Sequence, residues 1–288
     1  MSIVYLNGEF LPADQAHVPV LDRGFLFGDG VYEVVPAYGG RLLRLEQHLA
    51  RLEQSLAGIR MSPPLERGAW ARILEELIRR NDGDADISVY LQVTRGVAPK
   101  RDHAFPAEVR PTVFAMTSPI PPVPARVLEE GVAAITLDDI RWSYCNIKAI
   151  TLLPNVLLRQ QAVDSGAAEA ILIRDGHAIE GSASNLFVVL EGVIVTPPLG
   201  PQLLPGITRD LVLELCARHG LPHREADITE AELRGAREIW VTSSTKEVVP
   251  VTRLDGQPVG DGSPGPLWRN IIGLYQDHKA ALRDGRAA

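Results

Sequence analysis

Apolar residues recur along this chain at two spacings, and the switches between them lay out its elements. Ile3–Leu6 and residues 9–11 flank Asn7-Gly8, a dipeptide suited to the left-handed turn of a tight hairpin. Residues 31–35 read as a strand, which Gly39-Gly40 turns into residues 41–43. Leu45, Leu49, Leu52 and Leu56 then return at helical spacing, so a helix is predicted over 45–57 and, by the same pattern, another over 65–80. Residues 87–94 and 111–116 are strand-like and enclose a polar loop with Lys100-Arg101-Asp102-His103. Downstream, 153–163 is predicted helical, and 170–174 with 177–179 forms a strand pair about Asp175-Gly176. Residues 186–190 and 193–196 make another hairpin about Glu191-Gly192. A helix over 208–218 closed by Gly220 and Pro222, strands over 238–242 and 248–251, and a terminal helix over 266–282 complete the order.

One segment interrupts this pattern. Ser118-Pro119-Ile120-Pro121-Pro122-Val123-Pro124 has four prolines in seven residues, which cannot continue a helix or a central strand and hold the chain extended. A boundary is expected there, with a small α+β domain over 1–118, a linker over 119–125 and a larger α/β domain over 126–288 that carries Lys148. The order of elements fits a two-domain α/β (α+β) fold rather than a regular doubly wound sheet. Composition narrows the class: 45% hydrophobic and 23% charged residues describe a soluble globular protein. Net charge is −7 and basic residues are scattered among acids, so neither nucleic acid nor an anionic membrane is an expected partner. The start of the chain does not read as a secretory signal, no apolar run reaches bilayer length, and Cys145 and Cys216 are too few for a disulfide framework. A cytoplasmic location is expected.

Candidate chemistry begins at Lys148. The chain has 29 basic residues but only four lysines, Lys100, Lys148, Lys246 and Lys279. Lys148 alone lies in an apolar stretch, Cys145-Asn146-Ile147-Lys148-Ala149-Ile150-Thr151-Leu152-Leu153. An ammonium there is costly unless paired, neutralised or used covalently, and only an amine can lose its proton and condense with a carbonyl. Lys148 is therefore a candidate Schiff-base lysine, although taken alone it reads more readily as a stem on apolar surface with its head in water. Glu180-Gly181-Ser182-Ala183-Ser184-Asn185 follows a predicted strand, which suits a carboxylate aimed at a pocket, although taken alone it reads more readily as a turn of small polar residues. Pro205-Gly206-Ile207-Thr208-Arg209-Asp210 is a helix start, whose free N–H groups suit an anion or water. Thr242-Ser243-Ser244-Thr245 clusters hydroxyls between two strands. Other chemistries lack their residues. Gly28-Asp29-Gly30 precedes a strand instead of following one, Gly220 and Pro222 separate His219 from His223, and Ser182 and Ser184 lack the glycines of a nucleophile elbow.

Taken in order, these pieces resemble the fold-type IV pyridoxal-phosphate enzymes, which include D-amino acid and branched-chain aminotransferases and aminodeoxychorismate lyase. The resemblance runs over nearly the whole chain, through Asp22-Arg23-Gly24, Phe27-Gly28-Asp29-Gly30-Val31-Tyr32-Glu33, His48-Leu49-Ala50-Arg51-Leu52, Lys148, Glu180-Gly181-Ser182, Gly206-Ile207-Thr208-Arg209-Asp210 and Thr242-Ser243-Ser244-Thr245. Asp139-Ile140-Arg141-Trp142 and Val93-Thr94-Arg95-Gly96, leading to Arg101-Asp102-His103-Ala104-Phe105-Pro106, look most like the D-amino acid enzymes.

The resemblance implies pyridoxal 5'-phosphate as cofactor, joined to Lys148, which then moves the substrate α-proton as base and acid. It implies that Glu180 keeps the pyridine nitrogen protonated. Ser182 also falls in the cofactor-binding set. The phosphate is assigned to Arg51, the backbone at Ile207 and Thr208, and hydroxyls at Ser243 and Ser244. The substrate α-carboxylate is assigned to Tyr32 and to an Arg101-x-His103 pair reaching from the partner subunit of a homodimer, with the site at the domain junction. The implied reaction is transamination of D-amino acids, D-alanine plus 2-oxoglutarate giving pyruvate and D-glutamate. The loop before Arg101 is one residue longer than in those enzymes, which brings Lys100 in as a competitor. Tyr144 and Asn146 also stand where they usually have arginine and aspartate. The alternatives are a branched-chain L-amino acid or amine aminotransferase, a lyase of the aminodeoxychorismate type, and a binding protein that keeps the fold without cofactor.

Overall fold

The computed structural model describes residues 2–81 and 85–286, which fall into two compact units. The first contains the chain up to Pro121, the segment Ile147–Thr151 and the chain from Ala280; the second contains Pro122–Asn146 and Leu152–Lys279. Lys148 was expected in the C-terminal domain. Its segment instead clusters with the first unit, because backbone bonds tie it there: Tyr32 N–H donates to Lys148 O (3.0 Å) and Ile150 N–H to Gly30 O (3.1 Å).

In the first unit, strands β1 (Ile3–Leu6), β2 (Glu9–Pro12), β3 (Gly30–Tyr38), β4 (Arg41–Leu42), β5 (Ile87–Thr94) and β6 (Thr112–Pro119) form one sheet in the order β2-β1-β6-β5-β3-β4. Every pairing in it is antiparallel. Pro119 ends β6, so the first proline of the extended segment still belongs to the sheet. Helices α1 (Arg23–Phe27), α2 (Leu45–Gly58) and α3 (Arg67–Asn81) accompany it. Leu49, Leu52 and Leu56 of α2 and Trp70, Leu74 and Leu77 of α3 join Val31, Val35, Val89 and Leu91 in one core. The two-residue period of β3 puts Val31, Glu33, Val35 and Ala37 on a single face, and all four are fully buried. Glu33 is thus a carboxylate on the core face, while Tyr32 lies on the other.

In the second unit, helices α4 (Ala125–Glu130), α5 (Leu153–Asp164), α6 (Ile207–Arg218), α7 (Glu230–Gly235) and α8 (Pro266–Arg283, which runs on past Lys279) accompany a nine-stranded sheet. Its strands are β7 (Val132–Asp138), β8 (Glu169–Arg174), β9 (His177–Gly181), β10 (Asn185–Leu190), β11 (Val193–Thr196), β12 (His223–Glu225), β13 (Glu238–Ser243), β14 (Glu247–Leu254) and β15 (Gln257–Pro258). They run in the order β12-β11-β10-β13-β14-β7-β8-β9, with β15 on β14. β7 pairs in parallel with both β14 and β8. The hairpins expected about residues 175–176 and 191–192 are β8–β9 and β10–β11. Their register puts Glu180 near the end of β9 and Asn185 at the start of β10.

Gly28 shows how closely the first unit fits around the Lys148 segment. It closes α1 with φ 66°, and a Cβ there would lie 2.4 Å from Thr151 Cγ2. Gly28→Ala meets both left-handed strain and a steric clash. The substitution is expected to destabilise the protein by about 1–3 kcal/mol, seen as a lower urea midpoint. An unchanged midpoint contradicts this packing.

Candidate active site

Two clusters of buried polar groups, one in each unit, are built around Arg51 and Glu180. In the first, α2 presents His48, Arg51 and Ser55 at helical spacing on a buried face. Arg51 grips Glu33 with two parallel bonds, Nε to Oε1 and Nη2 to Oε2, both 2.7 Å, and His48 Nδ1 meets Glu33 Oε2 at 2.8 Å. Burial alone raises the Glu33 carboxyl, but the Arg51 guanidinium, with His48 assisting, holds it far below the usual carboxylate range. Burial lowers His48, so it is neutral at pH 7; an ionised carboxylate only accepts, which puts its proton on Nδ1. Ser55, one turn further on, accepts a bond from Lys148 N–H (3.1 Å). One helix face therefore anchors both the buried carboxylate and the backbone that carries the lysine.

Lys148 is half-buried, and its Nζ stands 4.1 Å from the centroid of the Tyr32 ring. An ammonium over an aromatic face is stabilised without a carboxylate partner, and the amine stays available for chemistry. Tyr32 stacks in turn on Tyr90, with centroids 5.6 Å apart, and Tyr90 donates to Gln92 Oε1 (2.7 Å). Burial raises the Tyr90 hydroxyl to about 12, so it remains a neutral donor. Glu33 was read in the sequence only as part of a motif, with no role given to it, and Tyr90 was missed. A glutamate at a core position of a strand was the available signal for the first; nothing marked the second.

In the second unit Glu180 is the centre. Arg141 Nη1 donates to Glu180 Oε1, while Asn185 Nδ2 (3.2 Å) and Leu204 N–H (3.1 Å) donate to Oε2. Arg141 is itself held by Asp139 through two 2.8 Å bonds, and Asp139 also meets Arg174 at 2.9 Å. Burial pushes the Glu180 carboxyl up to about 7, against the pull of Arg141 and with added repulsion from Asp139. Burial also works against the Arg141 charge, but Asp139 and Glu180 more than offset it and keep the guanidinium protonated.

The neighbouring candidates divide. The Ser182 hydroxyl donates to Glu169, which also takes Ser182 N–H (3.2 Å) and Ser184 Oγ (2.8 Å). Glu169 therefore shapes the turn after Glu180, and the Ser182 side chain is committed to that turn. Ile207 and Thr208 form the first turn of α6, whose N-cap Gly206 has no side chain to cover the free N–H groups. A Cβ there would lie 1.8 Å from Asn185 Oδ1, so any other residue would displace the Asn185 side chain that bonds Glu180. Ser243 ends β13, Ser244 follows in the turn, and the buried Thr242 hydroxyl beside them has no hydrogen-bond partner among the described residues. Arg101 and His103 lie on their loop in the first unit and gather at Phe27, while Lys100 is paired with Asp102 at 3.1 Å.

These residues fit pyridoxal phosphate. A carboxylate accepts about four bonds, and Glu180 has received three from the groups named, leaving room for a ring N–H. The uncapped N–H groups of α6 and the unpartnered Thr242 hydroxyl are donors of the kind a phosphate takes.

Glu180 gives a test that needs no cofactor. Its value of about 7 stands above the ordinary 4.5, so the folded protein holds this proton more tightly than the unfolded chain does. That stabilising contribution is fully present below about pH 4.5 and is lost as pH rises through about 7. Glu180→Gln cannot ionise. The melting temperature of its apoprotein should gain on that of the parent between those two pH values and run parallel above them. A difference that moves the other way means that Arg141 outweighs burial.

Known proteins are similar to this chain over most of its length. The D-alanine aminotransferase of Bacillus licheniformis is 45% identical over 277 residues, covering 95% of this chain and 96% of that protein. The Staphylococcus haemolyticus D-alanine aminotransferase is 38% identical over 272 residues, 94% of this chain and 95% of its own length. Among solved structures, Escherichia coli branched-chain amino acid aminotransferase superposes with a TM-score of 0.91 at 26% identity, covering 100% of this chain and 96% of that one. The T.th. branched-chain amino acid aminotransferase with pyridoxamine 5'-phosphate gives 0.92 at 26% identity, with 99% and 96% covered. The model of the amino-transferase class IV family matches residues 30–254. The resemblance to the fold-type IV pyridoxal-phosphate enzymes is borne out, and this chain belongs to the amino-transferase class IV family.

Proposed function

We propose that this protein is a pyridoxal 5'-phosphate-dependent D-amino acid aminotransferase, converting D-alanine and 2-oxoglutarate into pyruvate and D-glutamate. The observation that carries the reading is near full-length similarity, at 45% identity, to a protein named D-alanine aminotransferase. Bound pyridoxal phosphate supplies an aldehyde that takes up the amino group and a ring that accepts the electrons freed at Cα. The chain's own residues do the rest. Lys148, its amine over the Tyr32 ring and its backbone fixed by Ser55, holds the cofactor and moves the Cα proton in both directions. Glu180, fixed by Arg141, Asn185 and Leu204, keeps a proton on the ring nitrogen, and Ser182 supports it through the Glu169 turn. Arg51, the N–H groups of Ile207 and Thr208, and the hydroxyls of Ser243 and Ser244 take the phosphate.

Tyr32, Arg101 and His103 take the substrate α-carboxylate, the last two from a partner subunit. A homodimer is supported by large exposed apolar side chains in the second unit, among them Ile140, Trp142, Tyr144, Leu153 and Val156. Both cysteines are free and buried, which supports the cytoplasm as compartment. Among the described residues no helix is long and apolar enough to cross a membrane.

A branched-chain L-amino acid aminotransferase is the second reading, favoured by the names of the structures that superpose at 26% identity. One experiment separates the two. The yellow absorbance of the holoenzyme is expected to bleach on adding D-alanine and to persist with L-leucine. Bleaching by L-leucine alone would move the assignment to the second reading.

A further inference from the structure

Arg101 and His103 sit on a loop without regular structure, and a guanidinium on a long side chain loses much conformational freedom when it is fixed. Two-pronged recognition of a carboxylate requires that the side chain be ordered beforehand. The first unit supplies that order in two layers.

The backbone is clamped by Arg23. Arg23 is 3% exposed, and its guanidinium donates to three consecutive loop carbonyls, Asp102 O (2.6 Å), His103 O (3.2 Å) and Ala104 O (3.3 Å). Its Nε is tied to Asp29 (2.7 Å), which also holds Arg95 at 2.8 Å. Arg95 in turn lies 3.7 Å over the Phe105 ring at the far side of the same loop. The side chains are met by Phe27, one turn along α1 from Arg23. The Arg101 guanidinium is 5.0 Å from the centroid of its ring, and the His103 ring is 5.2 Å away at 45°. The Arg23 guanidinium is 4.8 Å from the same ring, with its charge balanced by Asp29.

The helix that carries Phe27 is itself fixed. Asp22 caps it by accepting from Gly24 N–H (2.7 Å), and its other oxygen takes the hydroxyls of Thr94 (3.0 Å) and Thr112 (2.6 Å). The sequence Asp22-Arg23-Gly24-Phe25-Leu26-Phe27-Gly28 thus encodes a short rigid stand, with a carbonyl clamp at one end and an aromatic ledge at the other.

We propose that Phe27 is the positioning residue for Arg101 and His103, its ring holding the guanidinium and imidazole where they meet the substrate carboxylate. The inference rests on the assignment of those two residues to that carboxylate. Phe27 touches neither substrate nor cofactor in this role; it sets affinity for the carboxylate and leaves proton transfer at Lys148 alone.

The test is a double-mutant cycle on the holoenzyme. It measures kcat and KM for D-alanine and the inhibition constant of acetate, a carboxylate that cannot react. Phe27→Leu keeps apolar volume but removes the aromatic face. It is expected to raise KM and the acetate constant about tenfold, with kcat changing by less than about threefold. Phe27→Trp retains the face and should stay close to the parent. Combining Phe27→Leu with Arg101→Ala should cost clearly less than the sum of the two single losses, because the part that acts through Arg101 is removed twice while the part that acts through His103 remains. Additive losses in the double variant, or a fall in kcat with unchanged acetate binding, would assign Phe27 to packing alone and overturn the proposal. If Arg101→Ala changes neither KM nor acetate binding, the carboxylate assignment itself falls and the role of Phe27 falls with it.

Discussion

The short antiparallel pairing that ties Ile147–Thr151 to the start of β3 is the constraint on which the lysine chemistry depends. An ammonium in an apolar stretch needs a surrounding that neither buries it nakedly nor locks it in an ion pair. Two backbone bonds, Tyr32 N–H to Lys148 O and Ile150 N–H to Gly30 O, and a third from Lys148 N–H to the Ser55 side chain at Oγ, fix the chain on both sides of the side chain. The Tyr32 ring then receives the ammonium. The rest of the first unit follows from holding that pairing in place: Gly28 makes room for Thr151, and α2 turns its polar face to Ser55, Arg51 and His48.

Two buried glutamates, each beside an arginine, end with opposite acidities. Glu33 receives both oxygens' bonds from Arg51 and a further one from His48, so charge compensation beats burial and it is ionised throughout the working range. Glu180 receives one bond from Arg141, whose remaining bonds go chiefly to Asp139, a second anion that repels it. Burial then prevails. The first arrangement is a fixed anion that orients a helix face. The second is a carboxyl poised near neutrality, able to become firmly ionised when a cation arrives beside it.

Most of the fold was legible because its elements alternate cleanly in period. The hairpin about Asn7-Gly8, the leucine row of α2 and the hairpin about Glu191-Gly192 each appear where spacing placed them. β7 was not legible: Val132–Asp138 has two adjacent alanines and no alternation, as befits a strand flanked in parallel on both sides. The unit to which Lys148 belongs was hidden too, since long-range backbone pairing leaves no local mark. At the site, its apolar surroundings marked Lys148, while Glu180 and Arg51 were marked only by the family resemblance. Neither signal could show that Ser182 is spent on Glu169 or that Arg141 serves Glu180, because both partnerships join residues far apart in the chain.

Borohydride reduction of the holoenzyme, followed by proteolysis and mass analysis of the labelled peptide, would identify the residue that carries the cofactor. Reduction fixes the cofactor to whichever amine holds it, and the chain offers only four lysines. A pyridoxyl label is expected on Lys148 and on no other residue. A label on Lys100, Lys246 or Lys279, with Lys148 unmodified, would contradict the assignment to Lys148.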